Sequence, residues 1–584
     1  MTMGQQTIQA DTGAEAYLAV LADRGVDYLF GNAGTDFASI IEALSKAQLG
    51  EATAPTPVTV PHENVAVSMA HGYYLMTGKP QAVMLHVSVG TANGICGILN
   101  AARDRVPMLF SAGRTPINED GLLGARSIYI HWAQEMFDQA GMVREIVKWD
   151  YELRNVRQIE TIVDRALTLC MTEPRGPVYL TLPREVLAER PGDFAFQSPS
   201  RMRAATMPAP DATAFDQAAD WLSKAENPLI ITASFGRDVE ESALLGDFAE
   251  NYALPVICYR PRYNCLPTDH PMHMGFEPGG VLGKADVILV LEADVPWIPS
   301  LHKLNPDARV IQIGVDPLYA NYPVRGFQCD LPITSDGAMA IRALMAAMEG
   351  TQPKGAAAKD ARRKQAVDQQ HDAAAARDAT IARCATGGPM QLPWVAHCLG
   401  NVMGENDILI NESQIPTPFL GHRKAGTYFG NSPAGGLGWG CGAALGVKLA
   451  AKDRRVFATI GDGAYMFGNP TPAHFVGASM DLPVCTLVVN NRMWGAVRKA
   501  TLGLHPDGAA SRLNRSPLTA VEPSPEYEKI VEASGGYGER VDNAEDLPGA
   551  LERALKAVDV EKRQAVLNIQ TAYDDAQALA DARR

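Results

Sequence analysis

The stretch RRVFATIGDGAYMFGNPTPAHFVGASMDLPVCTLVVNNRMWG, residues 454–495, decides the fold class. An apolar run ends at Ile460, the chain turns through Gly461, Asp462 and Gly463, a helical stretch follows, and a second apolar run ends at Asn490 and Asn491. Strand, crossover helix and second strand make a βαβ unit, whose parallel strands are buried on both faces. Both polar clusters then stand at carboxyl ends of strands, the edge where open α/β sheets bind ligands. A hard divalent cation such as Mg²⁺ takes oxygen ligands, with one or two carboxylates and phosphates filling its octahedron. Asp462, an Asn side-chain carbonyl and a backbone carbonyl are donors of that kind. The glycines beside Asp462 let main-chain N–H groups approach phosphate oxygens, and the next helix start adds a favourable dipole.

The same alternation continues in both directions. QAVMLHVS (81–88), VPMLFSAG (106–113) and GPVYLTLP (176–183) lie early, PLIITAS (228–234), ADVILVLEAD (285–294) and ARVIQIGV (308–315) in the middle, and DILINES (407–413) and AVLNIQT (565–571) late. The reading is an α/β chain of three domains, each with a mainly parallel sheet flanked by helices, over residues 8–190, 208–345 and 388–575. Residues 191–210, rich in Pro, Ser and Arg, make a first linker. Residues 351–387, Ala-rich and charged, make a second, a solvated helix at most with almost no core. The chain has 584 residues, 46% of them hydrophobic, and a net charge of −14, which excludes a single small module, a disordered chain and nucleic acid as a partner. Nine scattered cysteines without a C-x-x-C pair read as reduced thiols of a cytoplasmic protein. Neither a secretion signal nor a membrane span is expected. His270 and His273 in DHPMHMGF lack Cys or carboxylate partners at ligand spacing and read as loop residues.

GDG and NN, with 26 residues between Gly463 and Asn490, resemble the signature of thiamine diphosphate (ThDP) enzymes. The resemblance implies Mg²⁺ held by Asp462, Asn491 and the main chain of Met493, and a diphosphate at Gly461, Asp462, Gly463 and Ala464. VTVPHENVAVSMAHGYYLMTGKPQAVMLHVSVGTANG (58–94) resembles the block in which those enzymes carry their catalytic glutamate, matched by Glu63 at the mouth of a helix ending at Gly78. Such a glutamate hydrogen-bonds the coenzyme's aminopyrimidine. In Ala434–Gly438 the resemblance makes the Gly435 carbonyl an acceptor for the coenzyme amino group and Leu437 the wedge between its rings. Ser413 and Gln414 match the diphosphate-binding turn.

Over nearly the whole chain the pattern is similar to the ThDP-dependent decarboxylase and acetolactate synthase family, nearest to benzoylformate decarboxylases, through FGNAGTD (30–36), LHVSVGTANGICGILNA (85–101), AGGLGW (434–439) and NNRMWGAVR (490–498). It implies pyrimidine-binding, Rossmann-like middle and diphosphate-binding domains, in that order. It also implies proton transfer by His86 with the Thr35 hydroxyl, and an acceptor site at Gln134, as in acetolactate synthases. Three departures stand out: Thr35 replaces a serine, Ala500 beside Lys499 stands where an aryl-walling phenylalanine would, and the middle domain's histidine has no counterpart, with Pro299 near its place and His302 displaced. The implied activity is cleavage or formation of a C–C bond next to a carbonyl, on a 2-oxo acid by decarboxylation or carboligation, or on an acyloin. An FAD-containing oxidase of the pyruvate oxidase type and a non-catalytic partner are the alternatives; a complete G-x-G-x-x-G is absent, and Glu63, Asp462 and Asn491 are intact. Glu63 and the metal site are expected from different subunits, making a homodimer the minimum unit and a homotetramer the expected form.

Overall fold

The structure, a computed structural model, describes residues 4–209, 211–349, 355–386, 390–413, 415–421, 424–513 and 515–572. Three parallel sheets carry it. In spatial order the first has strands Thr56–Thr59, Tyr28–Gly31, Ala82–Leu85, Leu109–Arg114, Val178–Pro183 and Asp150–Glu152. The middle one has Val256–Cys258, Pro228–Thr232, Val287–Leu291, Arg309–Gly314 and Leu331–Thr334. The third has Tyr428–Gly430, Ile408–Asn411, Val456–Gly461, Cys485–Asn490, Ala565–Gln570 and Tyr537–Val541. Ala82–Leu85, Val178–Pro183, Pro228–Thr232, Val287–Leu291 and Cys485–Asn490 are buried along their whole length, as strands covered by helices on both faces must be. The first and third sheets are wound in the same order: within each, the second strand of the chain lies outermost, then the first, third, fourth, sixth and fifth.

Two segments expected as linkers are structured. Gly192–Ser198 pairs antiparallel with Gly4–Ala10, and its Phe194 and Phe196 alternate inward, so the first domain extends past residue 190. Gly355–Cys384 is indeed helical, but it is a strap docked on the middle domain. The Arg362 guanidinium donates to the carbonyls of Ala225, Tyr252 and Ala253, Gln370 donates to those of His270 and His273, and Ala366 is buried between them. These three residues recur every fourth position, a narrow seam that composition alone hides. Residues 351–354 and 387 of that expected linker lie outside the described residues.

Helix Glu63–Thr77 lies against helix Trp439–Ala450 and joins the first and third domains. Gly442 meets Val65 and Ser68, Ala443 meets Gly72, and Gly446 meets Met69 and Tyr73, so the helices run in the same sense with their starts at one end. A Cβ at 446 would come within 2.0 Å of the Met69 carbonyl oxygen, and one at 72 within 2.1 Å of the Ala443 carbonyl oxygen. Gly446→Ala gains about 1 kcal/mol of helix propensity, yet overpacking costs about 1–3 kcal/mol, and backbone atoms yield least. The expected result is a lower thermal midpoint, read by calorimetry; an unchanged midpoint would show that the two helices can separate freely.

Candidate active site

Strand Val456–Gly461 delivers Asp462 and strand Cys485–Asn490 delivers the Asn pair to one edge, since Gly461 pairs with Val489. Asp462 opens helix Asp462–Phe467 and is 3% exposed. Burial pushes its carboxyl up to about 6, against the opposing pull of the Gly463 and Arg492 amides. The Asn490 side chain is spent in the core, donating to Ser524 Oγ and Asn568 Oδ1. Asn491 stands on the loop, its Oδ1 accepting the Met493 amide at 3.1 Å, while the Met493 carbonyl accepts the Gly495 amide at 3.0 Å. Gly463 is required here because a Cβ would meet the Trp494 ring at 2.4 Å. Ser413 follows the neighbouring strand, and its amide donates to the Thr459 carbonyl at 2.9 Å. Among the described residues, Asp462 Oδ2 and Ser413 Oγ are buried with no hydrogen-bond partner. An acidic oxygen, an amide oxygen, carbonyls and a free hydroxyl at one edge fit a divalent cation with a diphosphate. Gln414 lies outside the described residues.

The wall at residues 434–438 is held from two sides. Gly435 and Gly438 have φ of 67° and 85°, the left-handed region that favours glycine, and Gly435 is exposed. Asn100 grips Gly436 through both backbone groups, at 2.8 and 3.0 Å. Glu412, buried, accepts the Gly438 and Gly440 amides at 2.6 and 2.8 Å, and burial pushes its carboxyl up to about 7. These amides are otherwise unpaired ends of helix Trp439–Ala450. Leu437, half-buried, packs at the rim of the core.

Glu63 begins its helix half-buried, and Oε2 accepts Asn93 Nδ2 at 2.5 Å. The structure brings His86 and Gln134 together, His86 Nε2 lying 3.3 Å from Gln134 Nε2, and Ser88 Oγ donates to the Gln134 carbonyl. Thr35 opens the turn Thr35–Phe37 with its side chain exposed. Sequence reasoning missed Asp36, the next residue, which is buried against His86 Nδ1 at 2.5 Å. The sign of it in FGNAGTD was an acid beside the expected hydroxyl.

In the middle domain, His302 Nδ1 accepts the Ile298 amide at 3.1 Å. It nonetheless lines, with Arg260, Glu277 and Gly435, a cleft of about 710 Å³ between the middle domain and the wall. Ala500 and Lys499 lie exposed on helix Gly495–Leu504. Among the described residues, no group of three His, Cys, Asp or Glu side chains could hold a metal, and no helix is long and apolar enough to cross a membrane. All nine cysteines are free.

Residues 11–142 match the N-terminal TPP binding domain of thiamine pyrophosphate enzymes, residues 215–344 their central domain and residues 413–569 their C-terminal TPP binding domain. The chain belongs to the thiamine pyrophosphate (thiamine diphosphate) enzyme family. It is 26% identical over 516 residues to the benzoylformate decarboxylase of Pseudomonas aeruginosa, covering 85% of this chain and 89% of that one. It is 25% identical over 568 residues to the acetolactate synthase large subunit of Corynebacterium glutamicum, covering 94% and 85%. The crystal structure of benzoylformate decarboxylase from Polynucleobacter necessarius shares the fold, with a TM-score of 0.77 at 20% identity over 96% of this chain and 99% of that one.

Proposed function

We propose that the protein is a ThDP- and Mg²⁺-dependent enzyme that breaks or makes the C–C bond next to the carbonyl of a 2-oxo acid, as a decarboxylase or carboligase. The observation that carries this reading is the meeting of Asp462 with the Asn490–Met493 loop at one sheet edge, where Asp462 Oδ2 and Ser413 Oγ have no hydrogen-bond partner among the described residues. Asp462, Asn491 and the Met493 carbonyl would hold the metal; Ser413, Gln414, Gly461, Gly463 and Ala464 would hold the diphosphate. Gly435 and Leu437 would orient the coenzyme. Bound there, thiamine diphosphate supplies a nucleophilic carbon and an electron sink. Glu63 holds and exchanges a proton at its carboxyl, His86 and Thr35 move protons on the substrate side, and Gln134 holds the second carbonyl compound.

The partner is a second copy of the chain. Tyr129 and Phe137 lie on either side of Gln134 in sequence, and Phe467, Leu504 and Leu518 lie in segments before and after the Asn490–Met493 loop, all exposed. Apolar surface of this kind around two half-sites is what an interface covers. The test is incubation with ThDP and Mg²⁺ and a panel of pyruvate, benzoylformate, glyoxylate and acyloins, with products identified by mass spectrometry. CO₂ with an aldehyde, or a longer 2-hydroxyketone, is expected. Acyloin breakdown without turnover of any 2-oxo acid would replace this reading by a lyase, and no turnover of any compound would overturn it.

A further inference from the structure

His86 sits in a pocket built around it. Its strand, Ala82–Leu85, ends one residue earlier, and helix Val87–Arg103 starts one residue later. Val87 has φ of 33°, a strained left-handed conformation for a β-branched residue. Strain of that size persists only where surrounding groups hold it. The holding group is Asp36, 3% exposed, whose Oδ1 lies 2.5 Å from His86 Nδ1 and whose Oδ2 accepts the Val87 amide at 3.3 Å. Two glycines clear the space. A Cβ at 34 would stand 2.0 Å from His86 Nδ1, and a Cβ at 113 would stand 1.8 Å from Asp36 Oδ2.

We infer that Asp36 is the positioning residue of this half-site, fixing His86 with a proton on Nδ1 so that Nε2 alone faces Gln134 and exchanges the proton used in turnover. A carboxylate can only accept, so the Nδ1 position beside it must carry hydrogen. Nε2, next to the Gln134 amide, is then the atom that gains and loses a proton. Gln134 Oε1 is buried with no hydrogen-bond partner among the described residues, and rotation of that amide about its axis lets it accept from a protonated Nε2. The titratable groups facing His86 are Asp36 from the turn, Glu63 from helix Glu63–Thr77 and His131 from helix Ile130–Ala133. The Asp36 hydrogen bond, outweighing burial, raises the His86 pKa, and Glu63 adds to the rise in the same direction. Near neutral pH the imidazole is therefore better protonated than an isolated one, and it donates one proton from Nε2 and returns to the neutral Nδ1–H form.

The use of that proton rests on the proposed function, but the positioning can be tested without turnover. Histidine ring signals of the full-length protein with ThDP and Mg²⁺ would be followed by NMR against pH, His86 being assigned by its loss in His86→Gln. Asp36→Asn removes the charge at nearly constant size, and the His86 pKa is expected to fall by about 1 unit or more, with loss of the single tautomer. Gly113→Ala keeps the charge but displaces the carboxylate, and should shift the same signals less. In kinetic profiles the alkaline limb, where a donating imidazolium disappears, moves toward acid by the same interval. An unchanged His86 pKa and tautomer in folded Asp36→Asn, or in Gly113→Ala should Asp36→Asn not fold, overturns the assignment. Lack of activity toward every 2-oxo acid would defeat the proposed function, whereas the Asp36 assignment stands or falls on the ring signals.

Discussion

Glu63→Gln is expected to lower kcat by about 10²–10⁴, the range that a positioned acid–base group contributes, while coenzyme and metal still bind. Glutamine keeps the length of the side chain and an oxygen to accept Asn93 Nδ2, so the helix start at residue 63 and its packing on helix Trp439–Ala450 are preserved. What disappears is a group that can hold a proton in one state and release it in the next. The Gly435–Gly438 wall and the metal loop, built from the third domain, are untouched by the change. Steady-state rates together with Mg²⁺-dependent tryptophan quenching by ThDP separate the two effects. A variant within tenfold of the parent rate would remove Glu63 from the chemistry.

Asp462→Ala is expected to abolish Mg²⁺-dependent retention of the coenzyme, measured by equilibrium dialysis. The loss follows from the donor set: without Asp462, Asn491 and a carbonyl already engaged by Gly495 remain, and neither is charged. The parent protein should show the same dependence through pH. A metal ligand must be deprotonated, and burial has raised this carboxyl to about 6, so affinity falls roughly tenfold for each unit below that value and levels off above it. Because the raised carboxyl is a cost to the metal-free fold above pH 6, the alanine variant without metal should melt no lower than the parent there. Retention of coenzyme in the variant would place the metal elsewhere. Mixing Glu63→Gln with Asp462→Ala chains then reports which chains form a site. If the acid and the metal loop work across two subunits, random exchange restores about a quarter of the parent activity. No restoration would place a complete site within each chain.

The sheets were legible because their strands are continuous apolar runs, as in ADVILVLEAD, which becomes Val287–Leu291. The meeting of Asp462 with the Asn490–Met493 loop was legible for a related reason: glycines, an acid and paired asparagines at strand ends are a local pattern, and chain order alone places them. Structure carried by sparse or distant partners escaped. Gly192–Ser198 reads as a linker until Gly4–Ala10, far away in sequence, is beside it. The strap Gly355–Cys384 docks through a few scattered residues, among them Lys359, Arg362, Arg363, Ala366 and Gln370. Glu412 and Asn100 brace a turn that lies 26 to 336 positions along the chain from them, and no periodicity records such a pairing. Asp36 was hidden by the residue before it, since the hydroxyl of Thr35 drew the reading while the neighbouring acid turned inward.

The shared winding of the first and third sheets has a consequence for how the protein divides its labour. One architectural plan, used twice, presents its carboxyl-end rim twice, once beside the side chains proposed to handle protons and once beside those proposed to hold the cation. On that reading, what distinguishes the two rims lies in the short segments beyond the strand tips. Selection can rewrite those tips for a new substrate while both frameworks stay as they are.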